Sequence, residues 1–339
     1  MSKSFVLKFL LIIIGLSQIT GVKCYAQNNE LYALVELVLE NSQLKNETAG
    51  YSVALVKNGH IVYASGFGLA NSNLQVLATD STEYRIASIS KTITATIAMR
   101  LWQKGKIDLE QSVHHLLPEY RLKEKGAITP HHLLCHQSGM LHYSGNEETD
   151  CYHPYSELEL LKYSVSKKTN YNPISALSIF EQQPLCFEPG FGYNYTTWGY
   201  CLLGAYLQRT QHKTYNALII DEVTAPLEMM NLRIALPVNS KSQLAALHKR
   251  VKDSVCQAIG KGPEFENISY KAAGGGITAN VYDLGKFIIG LTSSNYLADS
   301  TFQLMATPKS TSQNKPTGYG YGLGVEYQLN DTIYSHTGS

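Results

Sequence analysis

The sequence reads as an α/β plus all-α protein: strands from both ends of the chain make an α/β part, and a large helical segment is inserted between them. Three observations carry this reading. Two alternating, β-branched runs, residues 51–57 and 61–65, stand near the start. Residues 110–270 are dominated by helical spacing and loops, and strand character returns at residues 319–325 and 332–334. The organisation expected is a leader over residues 1–26, an α/β part over 27–80 and 318–339, and a mainly helical part over 81–317.

In the leader, Lys3 and Lys8 give a positive start, residues 9–16 are apolar, and Cys24-Tyr25-Ala26 places small residues ahead of Gln27. That is the layout of a secretory signal peptide, and the run is shorter than the ~18–20 apolar residues a membrane span needs. The mature protein is expected to be periplasmic or secreted, with no stable membrane span. Leu31, Leu34, Val35, Val38 and Leu39 then recur at helical spacing.

Asn58-Gly59 between the first two strand runs is a strong hairpin signal, and Phe67-Gly68-Leu69-Ala70 leads out of that hairpin. Residues 88–103 predict a helix with Ile89, Ile93, Ile97, Leu101 and Trp102 as apolar positions, stopped by Gly105. Thr129-Pro130 is an N-cap with proline at the first helical position, and Gly139 closes that short helix. Pro189-Gly190 is a turn, and residues 198–207 are a buried helix with Cys201 as a small core residue. Ala272-Ala273-Gly274-Gly275-Gly276 is a small-residue turn before a helix at about residues 280–291.

Composition narrows the function classes. Hydrophobic residues are 44% and charged residues 16%, with a formal charge of +1, which is an ordinary globular balance. There is no long basic run, which argues against nucleic acid or an anionic membrane as partner. The expected partner is a small or extended molecule held in a cleft. Cys135, Cys151, Cys186, Cys201 and Cys256 follow the leader, an odd set whose spacing fixes no disulfide pairing. His132 and His136 could share a helix face, but no glutamate lies between them and no third ligand accompanies them, so neither a metal nor a cofactor is expected. Gly274-Gly275-Gly276 lacks the Lys-Ser/Thr ending of a nucleotide loop.

The chemistry-bearing candidates begin with Ser88-Ile89-Ser90-Lys91. The spacing alone is weak, since Ser42/Lys45, Ser164/Lys167 and Ser312/Lys315 match it too. Ser88, however, opens an amphipathic helix, so Lys91 lies one turn on along the same face. A serine hydroxyl needs a nearby base, and a partly desolvated lysine can serve as one. Tyr195 is a second candidate, because a phenol can relay a proton beside cations. His336, at the end of the last strand, offers a cationic or hydrogen-bonding side chain.

Taken in order, these pieces resemble the penicillin-recognising serine hydrolases of the class C β-lactamase type, which include D-Ala-D-Ala carboxypeptidases, D-aminopeptidases and esterases. Tyr84-Arg85-Ile86-Ala87-Ser88-Ile89-Ser90-Lys91-Thr92 is similar to the family's nucleophile segment. The stretch from Ile128 to Gly139, the run from Phe187 to Gly204 that holds Tyr195, the Ala-Ala-Gly-Gly stretch within Ala272 to Leu284, and Tyr319 to Gly324 ahead of His336-Thr337-Gly338 resemble the segments that follow. The match covers about residues 50–339, and His142-Tyr143 and Thr197 lean towards the mitochondrial β-lactamase-like branch.

The resemblance implies a β-lactamase/transpeptidase-like fold, an antiparallel sheet flanked by helices with a large helical insertion. It implies that Ser88 is acylated, that Lys91 and Tyr195 share proton transfer, and that His336 replaces a lysine, steadying Tyr195 and a substrate carboxylate. Thr197, Thr337 and Gly338 would lie against the substrate, and the backbone N–H groups of Ser88 and Ser339 would form the oxyanion hole. Thr197 stands where many members have asparagine, which argues against ordinary β-lactam or D-Ala-D-Ala recognition. His336 in place of lysine points away from an efficient β-lactamase and towards a peptidase or esterase, with cell-wall peptides among the candidate substrates. A β-lactamase and a non-catalytic peptidoglycan-binding protein are the rival readings. The family continues past its third motif with further strands, so the C-terminal strands are expected to be missing from this chain.

Overall fold

The computed structural model describes Val35 and residues 48–118, 120, 127–142, 151, 173–235, 244–251, 255–258, 268–328 and 331–338. The expected leader, the helix expected at residues 31–39 (Val35 apart), Tyr143 and Ser339 lie outside the described residues.

Strands β1 (Gly50–Lys57) and β2 (His60–Asn71) form the expected antiparallel hairpin, with Val53 opposite Ser65 and Tyr51 opposite Phe67. Asn58 and Gly59 both take positive φ, 52° and 75°, as a tight hairpin turn requires. Residues 67–70 do not lead out of the hairpin. They prolong β2, where the Phe67 ring stacks on Tyr51 at 5.2 Å, and β3 (Val76–Leu77) pairs with this extension. The glycine at position 66 hid the strand pattern, but a Cβ there would overlap the backbone of Ala78 and Thr79.

A short strand β4 (Tyr84–Arg85) feeds helix α1 (Ile89–Gln103), which Gly105 ends at φ 65°. Helix α2 (Pro130–Leu134) starts as the sequence predicts. Thr129 and His132 form a capping box, with a histidine where glutamate is usual. It stops at Leu134, so Gly139 does not close it; Gly139 serves a later turn, with φ 74° and the Phe187 carbonyl packed where a Cβ would be. Helices α3 (Pro173–Phe180), α4 (Thr197–Gln211) and α5 (Tyr215–Ile219) follow.

Beyond them come β5 (Arg233–Ile234) and the hairpin β6 (His248–Val251) and β7 (Val255–Ala258), none of which the helical reading of the middle anticipated. The expected small-residue turn is one turn of helix, α6 (Ala272–Gly275), followed by β8 (Ile277–Ala279). Helix α7 (Val281–Leu291) is capped by Asn280, whose side chain accepts from the Asp283 N–H at 2.8 Å, and α8 (Asp299–Ala306) comes next. The last strands, β9 (Gly324–Gln328) and β10 (Asp331–Ser335), pair antiparallel. Strand β9 begins at Gly324 rather than 319, because Gly322 turns at φ 75° and Gly320 N–H bonds to Leu323 O.

The core lies between α1 and α4, whose Ile93, Ile97, Met99, Trp198, Tyr200 and Tyr206 are buried, and α6 packs across both. Under it β4, β8 and β5 form a three-stranded antiparallel sheet. Helix α7 packs on β1 and β2, and Gly285 lets Ile61 approach where a Cβ would leave 2.9 Å. Cys151 and Cys186 form a disulfide, whereas Cys201 is a buried free thiol, as expected of a core residue. Among the described residues, no helix is long and apolar enough to cross a membrane.

Candidate active site

The nucleophile candidate sits at a strained junction. Ala87, between β4 and α1, has φ +44°, a conformation that costs a non-glycine residue on the order of 1–3 kcal/mol. Ser88 occupies the N-cap of α1, but its side chain makes no capping bond. Its Oγ instead faces Lys91, one turn on.

Lys91 is 0% exposed, and its Nζ donates to Ser88 Oγ at 3.0 Å, Thr197 Oγ1 at 3.2 Å and Gly274 O at 2.7 Å. Ser88 and Thr197 stand at the starts of α1 and α4, and Gly274 lies within α6. An ammonium fills such a site with three donated hydrogens. A neutral amine can donate two, to Thr197 and Gly274, and turn its lone pair to the Ser88 hydroxyl. The site therefore supports both protonation states that a lysine base needs, and the Thr197 hydroxyl is a partner of Lys91.

Tyr195 precedes α4, and Lys91 Nζ lies 4.7 Å from its ring centroid. His336, at the end of β10, is 6.3 Å from Tyr195 between ring centroids. Both of its nitrogens are committed: Nδ1–H donates to Thr337 O at 2.8 Å, and Nε2 accepts from the Tyr319 hydroxyl at 2.9 Å. With the Tyr319 hydroxyl as donor to Nε2, that pattern is a neutral imidazole. Burial, and then the Lys91 cation, push its pKa down to about 4. Burial therefore favours a hydrogen-bonding His336 over a cationic one near neutral pH.

Gly338 explains how the third motif reaches the nucleophile. It packs so closely that a Cβ would overlap the Ile86 carbonyl, two residues before Ser88. Thr337 between them is exposed, and the expected second oxyanion donor, Ser339, lies outside the described residues.

Spatial neighbours add groups that the sequence did not single out for this site. His136 is wholly buried, with its ring 4.2 Å from Tyr195, and His142 lies 5.9 Å from the same ring between centroids. His136 falls beyond the end of α2, at φ 60°, so it shares no helix face with His132, which caps that helix. Gly274 gives a carbonyl to Lys91, and Tyr319 holds His336. No periodicity marks any of these; only the fold brings them together. The disulfide also borders the site, since Asn194 Nδ2, next to Tyr195, donates to Met140 O at 2.8 Å and Cys151 O at 3.1 Å.

The family profile described as Beta-lactamase matches residues 35–339 of the chain. Human serine beta-lactamase-like protein LACTB, mitochondrial, is 26% identical over 367 residues, covering 84% of this chain and 64% of the human protein. Over the mouse and bovine counterparts the match spans 54% of each, so the chain corresponds to less than two thirds of these relatives. Among solved structures, EstCE1, a hydrolase with promiscuous acyltransferase activity, has TM-score 0.70 at 22% identity, covering 88% of this chain and 84% of that one. D-amino acid amidase from Ochrobactrum anthropi has TM-score 0.70 at 20% identity, covering 91% and 85%. These likenesses establish the β-lactamase/transpeptidase-like fold, with its antiparallel sheets and flanking helices.

Proposed function

Because the chain belongs to the beta-lactamase family, we propose that it is an exported serine hydrolase that cleaves amide or ester bonds through an acyl-enzyme on Ser88. The observation that carries this is the 3.0 Å contact between Lys91 Nζ and Ser88 Oγ, made by a lysine that Thr197 Oγ1 and Gly274 O also hold in place. Lys91 takes the hydroxyl proton as Ser88 Oγ attacks the substrate carbonyl. Tyr195, beside Lys91, passes that proton to the leaving group, and water then releases the acyl group by the reverse relay.

The developing oxyanion meets the backbone N–H of Ser88 at the positive end of α1, with Ser339 N–H as its second donor. His336 orients this side of the site as a neutral hydrogen-bonding group. It offers no fixed positive charge to a substrate carboxylate, which favours ester or amide substrates that lack a carboxylate beside the scissile bond over β-lactams. The names of the similar structures, an acyltransferring hydrolase and an amidase, agree with that range. Export rests on the Lys3/Lys8 and apolar leader pattern, and the Cys151–Cys186 disulfide suits an oxidising compartment. The test is turnover of a panel of p-nitrophenyl esters, amino-acid amides, short D-amino-acid peptides and nitrocefin. The wild type is expected to hydrolyse esters or amides, and Ser88→Ala none of them. Equal turnover by the two proteins would remove Ser88 from the mechanism.

A further inference from the structure

The two imidazoles beside Tyr195 take no part in the proton relay, yet both are tied to its motif. Thr196 and Thr197 open α4, and the first backbone N–H groups of a helix have no partner within it. Here side chains receive them. Thr196 N–H donates to Nδ1 of His136 at 3.1 Å, and Thr197 N–H donates to Nδ1 of His142 at 3.4 Å. A ring nitrogen that accepts a backbone N–H carries no proton, so each neutral ring holds its hydrogen on Nε2. His336 shows the opposite tautomer, with Nδ1–H donating to its own neighbour's carbonyl.

Both acceptors lie in a setting that keeps them neutral. His136 faces Lys91, His336, His142 and the phenols of Tyr193, Tyr195, Tyr200 and Tyr319; His142 faces Lys91, Lys271 and Tyr195. Burial first, and then the Lys91 cation, push both rings far below the usual imidazole range, His142 to about 3. The segment that carries His142 is itself fixed, because the Thr196 hydroxyl donates to Leu141 O at 2.7 Å and His142 N–H to Cys151 O at 3.3 Å.

We propose that His136 and His142 are positioning residues of this site: as neutral acceptors they clamp the backbone of Thr196 and Thr197, and so hold the Tyr195 ring and the Thr197 hydroxyl against Lys91. The proposal rests on the reading of Ser88 as an acylated nucleophile. Losing either acceptor leaves a helix-start N–H without its partner and frees the motif to move away from Lys91, and a misplacement of about 1 Å costs on the order of 100-fold in rate.

Asparagine against glutamine at each position tests it, since asparagine Oδ1 reaches the place of Nδ1 and glutamine does not. Ser88 acylation by a fluorophosphonate, ester kcat and KM, and the thermal midpoint are read for all four variants. His136→Gln and His142→Gln should each lower kcat by about tenfold or more with KM little changed, and His136→Asn and His142→Asn should recover most of that loss. Equal kcat for the asparagine and glutamine variants would overturn the proposal. Nitrogen-15 NMR of the wild-type rings gives an answer that needs neither a folded variant nor turnover. Nε2–H tautomers at His136 and His142 and an Nδ1–H tautomer at His336 are expected, and an Nδ1–H tautomer at either clamp residue overturns the proposal. Wild type that is never labelled on Ser88 would instead sink the hydrolase reading, with the tautomers still deciding whether the clamp exists.

Discussion

Two adjacent glycines in α6 (Ala272–Gly275) form a matched experiment on the lysine site. A Cβ added at Gly274 would stand 2.7 Å from both Thr197 O and Thr197 Cγ2, whereas one added at Gly275 meets nothing closer than 3.9 Å. Alanine at Gly275 should therefore be neutral or stabilise by up to about 1 kcal/mol, the usual gain of alanine over glycine in a helix. Alanine at Gly274 must force α6 and the start of α4 apart by about 0.7 Å to reach ordinary contact, an overpacking that costs about 1–3 kcal/mol. Gly274 O and Thr197 Oγ1 are both acceptors of Lys91, so the same displacement disturbs the base. Ser88 acylation should slow by roughly 10- to 100-fold. Urea unfolding and the rate of fluorophosphonate labelling measure the two effects. If Gly274→Ala and Gly275→Ala match in both stability and labelling rate, Lys91 is not held by the α4–α6 contact and the reasoning fails.

Lys91→Met should leave the fold largely intact and abolish Ser88 acylation, checked by labelling rate beside circular dichroism; labelling at the wild-type rate would exclude Lys91 as the base. His336 holds a folded pKa of about 4, below the unfolded value near 6.5. The unfolded chain therefore binds the extra proton between those values, and stability is complete above about pH 6.5 and falls as the pH drops towards 4, by about 3 kcal/mol from this residue. Urea midpoints at pH 7 and 4.5 check the sign, and a chain no less stable at pH 4.5 would contradict it. Reducing the Cys151–Cys186 bridge opens a loop of 35 residues, which should cost about 4 kcal/mol by loop entropy. Urea unfolding with and without dithiothreitol reads it, and unchanged midpoints would refute it.

Local chemistry made part of the fold legible. Asn58-Gly59 dictates its hairpin, Thr129-Pro130 its helix start, and the apolar spacing from Ile89 to Leu101 the helix that carries Lys91. Strands of two or three residues, such as Tyr84–Arg85, Arg233–Ile234 and Ile277–Ala279, are too short to show a period, so the sequence carries no signal of their sheet. Glycines packed on backbone, as at Gly66, interrupted a pattern that the strand itself did not. In the site, Ser88, Lys91, Tyr195 and His336 could be named from motifs, and the structure brings them together. Gly274, His136, His142 and Tyr319 fall in or beside segments that the resemblance covers, but their contacts depend on distances set by separate elements, and no spacing in the sequence gives those contacts. The charge of His336 was equally out of reach, because it depends on burial and on the partner of each ring nitrogen.

The central claim is that Ser88, activated by Lys91, is the atom that bonds to the substrate. Intact-protein mass spectrometry after reaction with a fluorophosphonate, followed by peptide mapping, tests it most directly. One adduct on the peptide containing Ser88 is expected, absent from Ser88→Ala and much slower to form in Lys91→Met. An adduct on another residue, or equal labelling of Ser88→Ala, would contradict the account.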